Sequence, residues 1–213
     1  MVGAEGFQPY LIIGMIETGD RRALRKAVVA FMDDIKEDNL YNSIPSVAND
    51  KGWYVHARSD HPEIRAKFFE LLRGLDGFKA HIVIARKDLN IFTRKHNSNA
   101  TEFYFDVLHH LLNGRLHDNN CQYNLYLSQR GNNSLHRFQE AVDKALTARE
   151  LNASGSIAYN LEIVQSKEMP ELSIIDYLMW AVQRKLIQGE SRYFDALRSK
   201  YETVIDLYEE DMQ

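Results

Sequence analysis

Apolar positions recur along this chain in two rhythms, one suited to strands and one to helices. The run Tyr10-Leu11-Ile12-Ile13-Gly14-Met15-Ile16 is almost continuously apolar and predicts a buried strand over Phe7 to Ile16. Thr18 or Asp20 then offers a cap, and Leu24, Val28, Phe31 and Ile35 recur at helical spacing, so a helix is predicted over Arg21 to Lys36. Trp53 to His56 is a short strand candidate. Ser59-Asp60-His61-Pro62-Glu63 reads as a helix start with an Asx or Ser cap, and that helix stops at Gly74 or Gly77.

Phe78 to Lys87 is apolar at its centre and is the clearest strand. Lys87 to Asn99 reads as a polar connection, followed by a helix over Thr101 to Leu116. Tyr123 to Leu127 alternates as a strand does. Asn133 or Ser134 caps a helix to about Arg149, and Ile157 to Val164 is a further strand. Beyond Pro170 two C-terminal helices are expected. One is centred on Asp176 and the other runs from Arg192 to about Tyr208. The second would carry a stripe of Tyr193, Phe194, Leu197, Tyr201, Val204, Ile205 and Tyr208, a core face or a homodimer face. Strands separated by helices predict an α/β sheet layered with helices, and no linker-like stretch divides the chain, so a single domain over residues 1–213 is expected.

Composition narrows the setting. At 213 residues and 45% hydrophobic content a sizeable core is affordable. The lone cysteine, Cys121, excludes an internal disulfide framework and a thiolate zinc cluster. No apolar run is long enough to span a bilayer and the N-terminus lacks signal-peptide order, which together predict a cytoplasmic protein without a membrane partner. A formal charge of −4 supplies no global attraction to nucleic acid, so such binding requires a local basic patch.

Asp176 is the candidate that stands out. Leu172, Ile175, Met179 and Trp180 are its helical neighbours, so its carboxylate needs a cation, a metal ion or a set of donors. A structural pairing with an arginine or backbone donor and a functional role are both open on the residues alone. His56 and Asp60 form a second cluster, either an acid/base or metal pair or a turn residue beside a helix cap. Lys87, beside Arg86 at a strand end, and Arg130, in Arg130-Gly131, stand where α/β sheets border ligand crevices. Either could meet a phosphate, or Arg130 could neutralise Asp176. His109, His110 and His117 lack the spacing of a helical zinc pair.

Taken in order, these blocks resemble the bacterial and phage family known as domain of unknown function 3800. The likeness runs through His56, Asp60 and Arg65-Ala66-Lys67-Phe68-Phe69, then Ile82 to Lys87, Tyr104 and Leu127 to Gly131. It closes with Ser166 and Leu172 to Ala181. The resemblance implies a ribonuclease-H-like mixed sheet flanked by helices and a divalent-metal-dependent nuclease or phosphoesterase. Asp176 would hold Mg²⁺, with Asp60 or Glu162 sharing the ion and Lys87 and Arg130 holding phosphate. The family's Asp-Glu-Ser-Gly strand has no counterpart here, and the first strand is similar to the family's second. Truncation, a late start or true loss would each explain that. The alternative it leaves is a non-catalytic binding module on the same fold.

Overall fold

The first helix begins where the sequence requires. Asp20 accepts the Ala23 N–H at 3.0 Å, and α1 (Arg21–Glu37) follows strand β1 (Tyr10–Thr18) directly. The computed structural model describes residues 9–48, 52–116, 120–128, 135–150 and 157–207. After α1 come α2 (Pro62–Gly74), β2 (Phe78–Arg86), α3 (Leu89–His96), α4 (Ala100–Leu112) and β3 (Gln122–Ser128). Then follow α5 (Leu135–Glu150), β4 (Ala158–Val164), α6 (Leu172–Gln188), α7 (Arg192–Ala196) and β5 (Tyr201–Asp206). A mixed three-stranded sheet has the order β1-β2-β5, and β3 and β4 form a parallel pair. The architecture is therefore mixed α/β.

The chain divides into two compact units, with β1, β2 and β5 each running from one into the other. The first unit holds Gly14–His81 and Gln165–Thr203. Its core is built from one face each of α1, α2 and α6: Leu24, Val28, Ile35, Ile64, Phe68, Leu72, Ile174 and Leu178 are all buried. Each such side chain contributes about 1.5–3 kcal/mol when removed from water. Phe68 packs on Tyr177 with ring centroids 4.4 Å apart, and Phe69 stands 5.3 Å from the same ring. Gly14 lets β1 pass under α6, because a Cβ there would lie 2.8 Å from Ile175 Cδ1 and 3.0 Å from Met179 Cγ. Glu171, at the start of α6, is buried yet ionically satisfied. Arg21 Nη1 reaches its Oε1 at 2.6 Å and Arg25 Nη1 its Oε2 at 3.4 Å.

The second unit holds Ile82–Val164 with the near ends of β1 and β5. The apolar centre of β2, Ile82 to Ala85, is buried, as are Phe103, Val107, Leu111, Phe138 and Val142 of α4 and α5. In the parallel pair Gln122 lies opposite Ala158 and Ser128 opposite Val164, with α5 making the crossover that parallel strands need.

Three expectations need correction. The segment expected to be one helix from Arg192 is not one over the described residues, and Tyr208 lies outside them. Only a short α7 and a 3-10 turn (Arg198–Lys200) precede β5, and Phe194, Leu197 and Tyr201 are buried. Thr203-Val204-Ile205 is β-branched and prefers a pleated surface, so the aromatic stripe of a C-terminal helix does not exist. The polar connection after Lys87 contains α3, closed by Asn97 and Ser98 in the left-handed region (φ 50° and 57°). The stretch Trp53 to His56 joins no sheet; the His56 N–H is taken by a side chain instead.

Candidate functional site

The loop before α2 is organised around Asp60, which is 3% exposed. Its Oδ1 accepts the Trp53 Nε1–H at 2.9 Å, and its Oδ2 accepts the His56 backbone N–H at 2.8 Å and the Tyr177 hydroxyl at 2.6 Å. A buried carboxylate survives only with such donors. Burial raises its pKa, and the bonds from Tyr177 and Trp53 pull in the opposite direction. The same burial, with the Asp60 charge beside it, pushes the Tyr177 hydroxyl far above the ordinary tyrosine value. Arg65 closes the loop from α2: its Nε donates to the Ala57 carbonyl and an Nη to the Asp60 carbonyl, both at 2.8 Å. Asp60 is thus not the cap of α2. His61 is, its Nδ1 facing the Glu63 N–H at 3.4 Å.

This fixed loop presents His56 to Asp176. Asp176 Oδ2 accepts the Ala57 N–H at 2.8 Å and lies 3.3 Å from His56 Nδ1. The side chains are 36% and 38% exposed, so Asp176 is not enclosed as its apolar neighbours suggested. Its helix face lies at the surface, where Leu172, Met179 and Trp180 are also only half-buried. Of the three choices open to Asp176, the structure supplies donors. The Arg58 N–H also faces His56 Nδ1, at 3.2 Å. The two contacts ask opposite things of that nitrogen: a proton on Nδ1 favours Asp176, a lone pair favours Arg58. Among the described residues, Asp176 Oδ1 and His56 Nε2 have no hydrogen-bond partner.

One turn along α6 from Asp176 stands Trp180, on the same face. The Arg65 guanidinium lies 4.6 Å and that of Arg184 5.2 Å from the Trp180 ring centre. Tyr193 meets the Trp180 ring edge-on at 5.0 Å, and Arg192 lies 4.6 Å from the Tyr193 ring. Glu190 binds both Arg184 and Arg192, and these pairings hold its carboxyl below the usual range. Trp180 and Tyr193 are both half-exposed. The result is an aromatic surface interleaved with guanidinium groups beside an exposed His/Asp pair. Cation–π pairing of this kind contributes about 0.5–2 kcal/mol per contact.

The structure therefore brings together three of the expected residues, His56, Asp60 and Asp176. Lys87 belongs to the other unit, where its backbone N–H donates to the Pro9 carbonyl at 2.8 Å. Glu162 is exposed on β4 of that unit. Arg130 lies outside the described residues. The sequence did not single out Trp53, Tyr177 or Glu171, because their partners are distant in the chain: Tyr177 reaches back 117 positions to Asp60.

The described residues do not fit a Mg²⁺ ion at Asp176. Mg²⁺ requires near-octahedral oxygen ligands. Both Asp60 oxygens already accept from nitrogen or hydroxyl donors, and Asp176 Oδ2 accepts from Ala57. Among the described residues no three His, Cys, Asp or Glu side chains are placed to hold a metal together. No helix of the described residues is long and apolar enough to cross a membrane. No family model, curated protein or solved structure matches this chain.

Proposed function

We propose that the chain is a ribonuclease-H-like α/β protein that serves as a non-catalytic binding module for single-stranded nucleic acid. The observation that carries this reading is the surface formed by Trp180, Tyr193 and their arginines, next to Asp176 and His56. Single strands bind by stacking bases on aromatic rings while cations follow the backbone. In this reading Trp180 and Tyr193 stack bases. Asp176 Oδ1 accepts an N–H from a base edge, and carboxylates pair only with donors, which gives selectivity between bases. His56 and Arg58 meet phosphate oxygens. Asp60 touches no ligand; it holds residues 53–60 so that His56 and the Ala57 N–H keep their places about Asp176.

Arg65, Arg184 and Arg192 stand about Trp180 and Tyr193, so a chain with net charge −4 still offers cations at these rings. The burial of Asp60 and its bonds from Trp53, His56 and Tyr177 support binding over metal-dependent hydrolysis. A gel-shift assay with a single-stranded oligonucleotide in EDTA tests this. The proposal expects a shift that persists without divalent metal and weakens in Asp176→Asn, with the oligonucleotide intact when Mg²⁺ is added. Mg²⁺-dependent cleavage that disappears in Asp176→Asn would establish the nuclease reading instead.

A further inference from the structure

The outer face of α1 carries its charges in the reverse of the order a helix favours. A helix macrodipole stabilises anions near the N-terminus and cations near the C-terminus. The first turns of α1 instead hold Arg21, Arg22, Arg25 and Lys26, with no acidic residue in the first turn, and the last turns hold Asp33, Asp34 and Glu37. Arg21 and Arg25 are accounted for by the buried Glu171. Arg22, Lys26 and Glu37 are not: among the described residues none of the three has an ion-pair partner. Arg22 and Lys26 are exposed four residues apart and repel each other, as do Asp33 and Glu37. Asp33 Oδ1 lies 3.8 Å from Lys36 Nζ, a contact between exposed side chains that leaves the carboxylate open to a second cation. A merely solvated helix face is better served by opposite charges at that spacing.

At 3.6 residues per turn Arg22, Lys26, Asp33 and Glu37 fall on one line along α1, opposite the buried Leu24, Val28 and Ile35. Val29 and Ala30 flank the middle of that line, and both are exposed. Reflection about the point between Val29 and Ala30 carries Arg22 onto Glu37, Lys26 onto Asp33 and Val29 onto Ala30. An antiparallel copy of the same helix therefore sets a carboxylate opposite each cation and apolar against apolar at the centre. Lys36 falls opposite the exposed Ala23, so no like charges are brought together. This is the pattern that an isologous two-fold contact requires, in which one patch is complementary to itself.

We propose that this face of α1 docks a second copy of the chain, antiparallel, across a two-fold axis at Val29 and Ala30. The contact offsets the adverse dipole placement and the like-charge neighbours at both ends of the helix together. A partner of one charge sign fits only half of the line: a polyanion drawn to Arg22 and Lys26 is repelled by Asp33 and Glu37. The 17 residues of α1 span about 26 Å at 1.5 Å per residue, so the contact is small and the dimer belongs to the weak, transient class below about 1,200 Å² of buried surface. Its attraction runs between exposed charges and is screened by salt.

Sedimentation equilibrium of the full chain, free of nucleic acid, is the test. A reversible dimer with a dissociation constant between about 1 μM and 1 mM is expected at about 0.01 M salt. It should weaken by about tenfold or more at about 1 M salt, where the screening length has fallen from about 30 Å to about 3 Å. Two charge-reversed variants then examine the geometry. Arg22→Glu with Lys26→Glu makes the line wholly acidic, and Asp33→Lys with Glu37→Lys makes it wholly basic. All four positions are exposed and both changes agree with the macrodipole, so the fold is kept. Each variant alone is expected to be monomeric, and an equimolar mixture of the two to form a one-to-one dimer. A wild type that stays monomeric up to about 1 mM at low salt would overturn the proposal. So would self-association unchanged in either variant, or a mixture that does not associate.

Discussion

Replacing Asp60 with alanine tests the framework of the site most sharply. The substitution removes the acceptor of three donors: Trp53 Nε1–H, the Tyr177 hydroxyl and the His56 N–H. Trp53 and Tyr177 are buried and have no water to turn to, whereas His56 is half-exposed and can rehydrate. An orphaned buried donor costs about 1–3 kcal/mol, so two of them place the loss between about 2 and 6 kcal/mol. The desolvation that raises the Asp60 pKa is relieved at the same time, which favours the lower part, about 2–4 kcal/mol. Urea unfolding followed by circular dichroism should show the midpoint falling by about 1–2 M. Tyr177→Phe removes one donor and no acceptor, and is expected to cost about 1–2 kcal/mol. The double variant should lose less than the sum, because the second change removes a donor that the first left orphaned. An Asp60→Ala loss under about 0.5 kcal/mol, or strict additivity with Tyr177→Phe, would refute the claim that this carboxylate organises the loop.

Other outcomes follow from the same geometry. Arg21→Met leaves the buried Glu171 with Arg25 alone at 3.4 Å, and a loss of about 1–3 kcal/mol is expected in the same unfolding assay. Gly14→Ala drives a Cβ into Ile175 and Met179 and should cost about 1–3 kcal/mol, with Ile175→Val in the Gly14→Ala background recovering part of it. Burial holds His96 and His109 below the ordinary histidine value, so the folded state prefers neutral rings. Their contribution to stability is present above about pH 6.5 and is lost as pH falls through the lowered folded values. Urea midpoints measured from pH 7.5 downward should fall across that window, and less steeply in His96→Gln.

Local signals were legible where a side chain speaks to its own neighbourhood. Asp20 announced α1 and caps it. The apolar centre of Phe78 to Arg86 announced β2, and Gly77 (φ 84°) lies in the break before it. The C-terminal segment misled because Phe194, Leu197 and Tyr201 fall at helical spacing while the β-branched Thr203-Val204-Ile205 decides in favour of a strand. The two site carboxylates exchanged roles for a related reason. Asp176 has apolar neighbours along its helix, yet that face reaches the surface. Asp60 lies in a polar stretch, yet a tryptophan, a backbone amide and a tyrosine from α6 enclose it. Periodicity reports which residues share a face, not what covers it. The aromatic and guanidinium surface was hidden likewise, since Arg65 meets Trp180 from a different helix.

Trp180 is the residue on which the proposed binding depends most directly. Fluorescence anisotropy of a labelled single-stranded oligonucleotide, titrated with the chain in EDTA, should report salt-sensitive binding. Trp180→Ala should weaken it by about 1–3 kcal/mol, the value of one base–aromatic stack. Equal affinity in wild type and Trp180→Ala, or no binding by either at low salt, would contradict it.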